Sequence, residues 1–178
     1  MKNTKYFLVG MPASGKSTLG KHVARQLGLN FIDLDKVIVE NEGEAITDIF
    51  KTKGEDYFRE LERKYLLKLI SRNDGYILAT GGGAPCFFDN INQMNKNGIT
   101  IFLNISVDDL FSKLSKKGTQ KRPLLKEFSR EGLYLELEKK LNDRMKFYEQ
   151  SKICLDQNLD DINSRVNQVI FAIKTLKE

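Results

Sequence analysis

The sequence predicts an α/β domain in which a parallel sheet carries helices on both faces. Short apolar runs alternate with amphipathic helical patterns along the 178 residues. The connections between runs are long enough to hold a helix, which favours parallel strands joined by right-handed crossovers. A glycine-rich turn also directly follows the first apolar run. A chain of this length can form one domain with a substantial core.

Five apolar runs are typical of strands. They are short, rich in β-branched or aromatic residues, and mostly lack polar alternation, as expected of strands covered on both faces. The predicted strands are Tyr6–Val9, Phe31–Leu34, Tyr76–Ala79, Thr100–Ile105 and Lys152–Asp156.

Helical periodicity fills the connections between the runs. In the first connection Leu19, Val23 and Leu27 are spaced four residues apart, and Gly28 is a favourable residue to end a helix. The longest helix is predicted from near Glu55 to about residues 73–75. A further helix follows Ser106, whose hydroxyl can cap it, and two more cover about residues 131–150 and 160–173.

Two segments depart from the simple alternation. Residues 35–60 hold two short helical patches where one crossover helix would suffice. Residues 115–130 are polar and basic, and Gly118 and Pro123 interrupt them. Such additional segments at the carboxyl ends of strands are where open α/β sheets bind ligands and close lids.

Charge, cysteine and histidine content limit the binding partners and the kinds of catalytic site that this sequence can have. The net charge of +5 comes from cations interleaved with 24 acidic residues, which favours an anionic small molecule over nucleic acid as the partner. Cys86 and Cys154 lack metal-ligand spacing and are expected to be reduced, core-facing thiols. His22 is the only histidine and is expected on a solvated helix face, which excludes a histidine triad. Neither a leader nor a membrane span is apparent, so a cytoplasmic location is expected.

Residues 10–17, GMPASGKS, match the phosphate-loop pattern G-x-x-x-x-G-K-[ST]. At ordinary residue frequencies this pattern arises by chance in about one such chain in a hundred. Main-chain N–H groups and the following helix end attract phosphate. Lys16 is expected to reach the β- and γ-phosphates, and Ser17 to bind Mg²⁺. The predicted nucleotide-binding residues of this loop are Gly10, Ala13, Ser14, Gly15, Lys16, Ser17 and Thr18.

The phosphate loop alone leaves the acceptor of the phosphate open. A GTPase would need an N-K-x-D motif, and residues 95–98 read NKNG. The chain is also too short for a large motor or transport ATPase. A small kinase is the remaining class.

The motif FIDLD at residues 31–35 ends a predicted strand with two acids. Beside a phosphate loop, one acid can order water on Mg²⁺, and the other can accept a hydrogen bond from the hydroxyl that is phosphorylated. A helix cap is the alternative interpretation for Asp33 and Asp35.

Two arginines are candidates for binding an anionic acceptor. Arg59 lies in YFRELE near the start of a helix, where Glu62 can offset its unfavourable position, although a surface arginine is the alternative. Arg144 lies in NDRMKFY beside an apolar stripe, where it either extends to solvent or meets a buried anion. Together the two guanidinium groups would form a fork-like grip for a carboxylate.

The motif TGGGAP at residues 80–85 directly follows the third predicted strand. Three consecutive glycines cost about 1 kcal/mol each in backbone entropy against alanine. This cost is reasonable if another group must approach the main chain of these glycines closely. A flexible turn is the alternative interpretation.

Taken in order, GMPASGKS, FIDLD, FRELE, TGGGAP, KRPLL and DRMKFY resemble the shikimate kinase family, which is similar to nucleoside monophosphate kinases. The resemblance covers essentially the whole chain. It implies a three-layer α/β/α sandwich of the P-loop NTPase fold, with strand order 2-3-1-4-5. It also implies transfer of the ATP γ-phosphoryl group to the 3-hydroxyl of shikimate, in aromatic amino-acid biosynthesis, by a cytoplasmic monomer.

The resemblance also implies roles for individual residues. Asp33 would lie near Mg²⁺, whereas Lys16, Asp35 and the lid's Arg122 would be catalytic, Arg122 also contacting the nucleotide. Residues 1–178 would form a single kinase domain, with a shikimate-binding segment at about 35–62 and a lid at about 115–128. The implied shikimate-binding residues are Asp35, Arg59, Gly81, Gly82, Gly83 and Arg144.

Two departures from the family pattern stand out. Pro12 and Ala13 replace the usual Met-Gly of the phosphate loop, and the basic residue that stacks on adenine is either Lys116 or Lys117. A kinase of another small hydroxy acid, such as gluconate, is the alternative within the same class. A nucleotide-binding module without catalysis would predict loss of Lys16, Asp35 or Arg122, and all three are present.

Overall fold

The computed structural model of the chain describes residues 3–116, 130–156 and 161–176. Its five strands form one parallel sheet in the order β2-β3-β1-β4-β5, which confirms the predicted sheet and strand order. The strands are Lys5–Val9 (β1), Asn30–Asp33 (β2), Tyr76–Ala79 (β3), Ile99–Asn104 (β4) and Ile153–Asp156 (β5). The described helices are Lys16–Leu27 (α1), Leu34–Glu42 (α2), Ile46–Ile70 (α3), Asn90–Asn97 (α4), Val107–Lys116 (α5), Arg130–Tyr148 (α6) and Ile162–Thr175 (α7).

Alternate residues of the central strand β1 enter two different cores. Phe7 and Val9 pack in a cluster with side chains of α2 to α6, whereas Tyr6 and Leu8 pack with α1 and α7. Because successive side chains of a strand point to opposite faces, this division places helices on both sides of the sheet. The three-layer α/β/α architecture is therefore confirmed. None of the described helices has the length and apolar character needed to cross a membrane.

The expectation that the strands are covered on both faces is wrong for β5. Ile153 and Leu155 pack in the core with α1 and α7, whereas the side chains of Cys154 and Asp156 point to the opposite face and are exposed. As a result Cys154 is exposed rather than core-facing, whereas Cys86 is half-buried, and both are free thiols. His22 is exposed on α1, as expected.

Two helices differ from the prediction. Helix α3 runs across Gly54, which has φ 82° and ψ 176°, so the second short patch and the long helix are joined at a kink. The long segment ends at Ile70, several residues before the predicted end. Helix α4 was not predicted, because only Ile91 and Met94 in its polar sequence are buried apolar residues. The predicted cap of α5 is confirmed, since the Asp109 N–H donates to Ser106 Oγ at 3.1 Å.

The parallel sheet brings three loops to one edge. Strand β1 ends at the phosphate loop, β2 ends at Asp33, and β3 ends at the TGGGAP turn. Since the carboxyl ends of parallel strands lie at the same edge of a sheet, these loops face one another there.

Helix α1 packs closely against the sheet at Gly20. A methyl group at Gly20 would lie 2.6 Å from Phe31 Cε2 and 2.9 Å from Leu8 Cδ1. We therefore expect Gly20→Ala to destabilise the fold by about 1–3 kcal/mol, although alanine has a higher helix propensity than glycine by about 1 kcal/mol. Urea unfolding measures the change. Adding Phe31→Leu should recover part of the loss, and a Gly20→Ala variant more stable than the parent would contradict the close packing.

Candidate active site

The phosphate loop has the backbone conformation that its glycines predict, with one exception. Gly10 and Gly15 adopt φ 136° and 97°, and Ala13 adopts φ 68°. An L-residue with a side chain pays about 1–2 kcal/mol in this left-handed region. Ala13 thus holds a conformation that would suit the glycine usual in its place. The departure at Ala13 therefore carries a cost in backbone conformation that glycine would avoid.

Lys16 begins helix α1 and is only 7% exposed. Its Nζ donates hydrogen bonds to the carbonyl oxygens of Gly10 and Met11, both at 2.8 Å, and to Ser14 Oγ at 3.3 Å. The ammonium group is consequently held against the phosphate loop, beside the amino end of α1. Positive charge and helix dipole coincide there, which favours an anion.

Ser17 and Asp33 are brought together from different elements. Ser17 Oγ donates a hydrogen bond to Asp33 Oδ2 at 2.7 Å. Asp33 is the residue before α2, but its side chain makes no capping hydrogen bond, so the helix-cap interpretation does not apply to it. In the described part of the chain, no three histidine, cysteine, aspartate or glutamate side chains are grouped to hold a metal ion.

Arg59 is buried rather than on the surface. Its Nε and Nη2 donate to Glu55 Oε1 at 3.1 and 2.6 Å, and its Nη1 donates to Glu62 Oε2. The Phe87 ring also lies 4.4 Å from the guanidinium carbon, which adds a cation–π contact. The predicted pairing of Arg59 with Glu62 is confirmed. These contacts fix the orientation of the guanidinium group.

Glu62 is the most deeply buried acid of this cluster, at 1% exposure. Burial raises its pKa to about 7, and the charge of Asp35 acts in the same direction, whereas Arg59 and Arg144 lower it. Glu62 Oε1 has no hydrogen-bond partner among the described residues. This carboxyl group therefore keeps its proton to a higher pH than an exposed glutamate does.

The glycine turn at residues 81–83 lies between the phosphate loop and the acidic cluster. A methyl group at Gly81 would lie 2.2 Å from Glu62 Oε1, and one at Gly82 would lie 2.6 Å from Pro12 Cδ. At Gly83 it would lie within 2.7 Å of the Arg59 guanidinium. Each glycine is thus required by a close approach to its main chain. The flexible-turn interpretation is not supported.

Asp35 follows β2 on the first turn of α2 and lies at the same place. Its Oδ1 would be 3.1 Å from a methyl group at Gly81, so the carboxyl faces the glycine turn rather than Ser17. The two acids of FIDLD therefore serve different parts of the site: Asp33 contacts the phosphate loop, whereas Asp35 lies beside Glu62.

Helix α6 brings Arg144 to this cluster. Arg144 is half-buried, with Nη1 4.0 Å from Met11 Sδ in the phosphate loop. One turn later the Tyr148 hydroxyl donates to the Gly82 carbonyl at 2.6 Å.

Most of the predicted site residues are assembled at one edge of the sheet. They are the phosphate-loop residues Gly10, Ala13, Ser14, Gly15, Lys16 and Ser17, together with Asp33, Asp35, Arg59, Gly81, Gly82, Gly83 and Arg144. Thr18 is exposed on α1, and Arg122 and most of the predicted lid lie outside the described residues.

Sequence reasoning missed four residues of the site, namely Met11, Glu55, Phe87 and Tyr148. Tyr148 follows Arg144 by four residues and hence shares its helix face, a spacing that was available in the sequence. Glu55 precedes Arg59 by the same spacing. Phe87 and Met11 carry no comparable signal, because their contacts with Arg59 and Tyr148 arise only from the tertiary fold.

The raised pKa of Glu62 has a consequence for stability. In the folded state Glu62 keeps a proton that it loses near its ordinary value of 4.5 in the unfolded chain, so its contribution to stability falls as pH rises from about 4.5 to about 7. We expect the free energy of unfolding of the wild type, minus that of Glu62→Gln, to decrease between pH 5 and pH 8. Urea unfolding at several pH values measures this difference. The exposed Glu60, changed to Gln, is the matched control, and a difference that increases with pH would contradict the expectation.

Comparisons with known proteins agree with this arrangement. The family model described as shikimate kinase matches residues 12–174. A shikimate kinase of Parabacteroides distasonis is 41% identical over 170 residues, which cover 95% of this chain and 96% of the relative.

Solved structures give the same result. The crystal structure of a shikimate kinase from Bacteroides thetaiotaomicron has a TM-score of 0.90 at 37% identity and covers 96% of this chain and 98% of that chain. A shikimate kinase from Acinetobacter baumannii, solved in complex with shikimate, has a TM-score of 0.88 at 30% identity, with 98% and 94% covered.

The alternative kinase class is more distant. A gluconokinase from Sinorhizobium meliloti has a TM-score of 0.60 at 17% identity, covering 98% of this chain and 93% of that chain, and therefore shares the fold alone. Both the match of the family model over most of the chain and the identity to full-length relatives show that the chain belongs to the shikimate kinase family.

Proposed function

We propose that this chain transfers the γ-phosphoryl group of ATP to the 3-hydroxyl group of shikimate. The observation that carries the proposal is the position of the glycine turn 81–83, which separates the phosphate loop from the buried cluster of Arg59, Glu62 and Asp35 by one thickness of main chain. A phosphate donor on one side and an anionic alcohol on the other would therefore meet at this turn.

The acceptor side supports a ligand with both a carboxylate and hydroxyl groups. Arg59 and Arg144 supply the positive charge for the carboxylate, and Asp35 supplies an oxygen acceptor for the hydroxyls. The main chain at Gly81, Gly82 and Gly83 lines the pocket because side chains are absent there. This combination selects a small hydroxy acid over a neutral sugar.

Asp35 is the proposed general base. As the 3-hydroxyl oxygen bonds to the γ-phosphorus, the bond from that phosphorus to the bridging oxygen of ADP breaks, and the hydroxyl proton passes to Asp35. Lys16 and the lid residue Arg122 are proposed to stabilise the charge of the transferring group.

Magnesium fits the chemistry of the Ser17 and Asp33 pair. A hydroxyl and a carboxylate within hydrogen-bond distance are hard oxygen donors of the kind that Mg²⁺ prefers, with water and phosphate as its remaining ligands. We propose that Ser17 binds the ion directly and that Asp33 orients its water. The ion would neutralise charge on the nucleotide phosphates.

The proposal also covers the domain organisation of the chain, its lid and its location. Residues 1–178 act as a single kinase domain, in which residues 35–62 bind shikimate and residues 115–128 close as a lid over ATP, with Lys116 or Lys117 against adenine. We propose that the chain acts as a monomer in the cytoplasm and uses neither nucleic acid nor a membrane as a partner.

A coupled assay of ADP release tests the activity. With ATP and Mg²⁺ present, shikimate should support turnover, and gluconate at the same concentration should give little or none. Phosphate on the 3-oxygen of the product, identified by ³¹P NMR, completes the test. Equal turnover with gluconate, or none with shikimate, would contradict the proposal.

Lys16→Met should lower kcat by about 100-fold or more, because it removes a cation from the transferring phosphoryl group. Circular dichroism should show an unchanged fold. Lys21→Met is the matched control, since Lys21 is exposed on the same helix, and it should retain wild-type turnover. Substantial activity of Lys16→Met would remove the loop's lysine from the mechanism.

Arg144→Ala should mainly weaken acceptor binding. Loss of one partner of a buried, hydrogen-bonded ion pair costs about 2–5 kcal/mol, which corresponds to roughly 30-fold or more in KM for shikimate. The KM for ATP should change little. Lys140→Ala is the control on the same helix, because Lys140 is only partly buried and its one ion pair among the described residues is with Glu136. An unchanged shikimate KM in Arg144→Ala would show that the carboxylate binds elsewhere.

A further inference from the structure

Tyr148 is fully buried at the last residue of α6, and its hydroxyl lies where three parts of the site meet. The hydroxyl donates to the Gly82 carbonyl at 2.6 Å and lies 3.8 Å from Met11 Sδ. Its ring stacks on Phe102 of β4, with ring centroids 5.0 Å apart and planes inclined by 26°. The ring therefore fixes Tyr148 in the core, and its hydroxyl contacts both the glycine turn and the phosphate loop.

Gly82 is held from two sides. The Pro12 ring occupies the space where a side chain at Gly82 would be, and Tyr148 holds its carbonyl oxygen. The peptide group between Gly82 and Gly83 contains this carbonyl, so the hydrogen bond fixes the direction in which the next N–H points. Gly83 in turn lies against the Arg59 guanidinium. The Tyr148 hydroxyl thus determines the geometry of the wall nearest to Arg59.

The same bond fixes α6 relative to the glycine turn. Arg144 and Tyr148 are four residues apart and lie on one face of the helix. Met11 Sδ is 4.0 Å from Arg144 Nη1 and 3.8 Å from the Tyr148 hydroxyl, so both side chains contact the same atom of the phosphate loop. Arg144 also makes a hydrogen bond to the Tyr148 side chain. A shift of the Tyr148 hydroxyl would therefore displace Arg144 relative to the glycine turn.

We propose that Tyr148 is a positioning residue for the acceptor, which acts by holding the Gly82 carbonyl and thereby aligning the glycine turn with Arg144. The proposal rests on the proposed function, because it assumes that the acceptor carboxylate lies between Arg59 and Arg144. Tyr148 does not touch the acceptor in this account. Its effect passes through Gly82 and α6.

Tyr76 provides a control that is matched in its hydrogen bond to a main-chain carbonyl. It is also a fully buried tyrosine, and its hydroxyl donates to the Leu69 carbonyl at 2.8 Å. Its ring makes an edge contact with Phe7 inside the core. Tyr76→Phe therefore removes the same kind of hydrogen bond at a distance from the proposed acceptor site. Both substitutions keep the ring, so the core remains filled.

The experiment compares steady-state kinetics of the wild type, Tyr148→Phe and Tyr76→Phe, with thermal unfolding of each. Both variants should lose a similar amount of thermal stability, since each leaves one carbonyl without its donor. Only Tyr148→Phe should raise the KM for shikimate, by about tenfold, which is the effect of one buried hydrogen bond. Its KM for ATP should stay within about twofold of the wild type.

Two outcomes would overturn the positioning role. One is a shikimate KM of Tyr148→Phe within twofold of that of Tyr76→Phe, and the other is an equal rise in the KM of Tyr148→Phe for ATP. Wild-type turnover with shikimate is measured in the same series. If the wild type does not phosphorylate shikimate, the proposed function fails, whereas active wild type with an unaffected Tyr148→Phe rejects the positioning role alone.

Discussion

The site depends on the close contact between the main chain of residues 81–83 and the groups around it, which is possible because these residues have no side chains. At residues 81–83 the backbone touches a buried acid, the ring of Pro12 and the Arg59 guanidinium, one at each glycine. The three glycines carry an entropic cost, but a larger residue would collide with Glu62 at position 81, with Pro12 at position 82 or with Arg59 at position 83. This thin wall sets the separation between the two halves of the site, and the parallel sheet sets their common edge.

The positive charge of the site lies in two regions, the proposed nucleotide side and the proposed acceptor side, which differ in how they are built. Around the phosphate loop the positive potential comes from main-chain N–H groups, a helix end and Lys16, so it is built into the backbone. On the acceptor side it comes from two arginines that are surrounded by carboxyl groups, with Glu55 and Glu62 bonded to Arg59 and Asp35 nearby. These acids hold the guanidinium in place. Burial raises the pKa of Glu62 to about 7, against the lowering effect of Arg59 and Arg144.

Much of this arrangement follows from the sequence because it is encoded locally. The phosphate loop, the strand order implied by the family resemblance, and the pairing of Arg59 with Glu62 each depend on residues close together in the chain or on a recognisable motif. Helix α4 and the exposed position of Cys154 were not foreseen. The helix depends on two buried residues in a polar segment, and the exposure of Cys154 depends on which face of β5 the helices cover. Contacts such as Tyr148 with Gly82 join residues 66 positions apart and have no local signature.

The central claim is that the acceptor's carboxylate lies between Arg59 and Arg144, across the glycine turn from the nucleotide. A crystal structure of the chain with shikimate and ADP tests it most directly. We expect the carboxylate within ion-pair distance of both guanidinium groups, a ring hydroxyl within hydrogen-bond distance of Asp35, and the β-phosphate in the loop at residues 10–17. A carboxylate bound away from both arginines, with the nucleotide in its loop, would contradict the account.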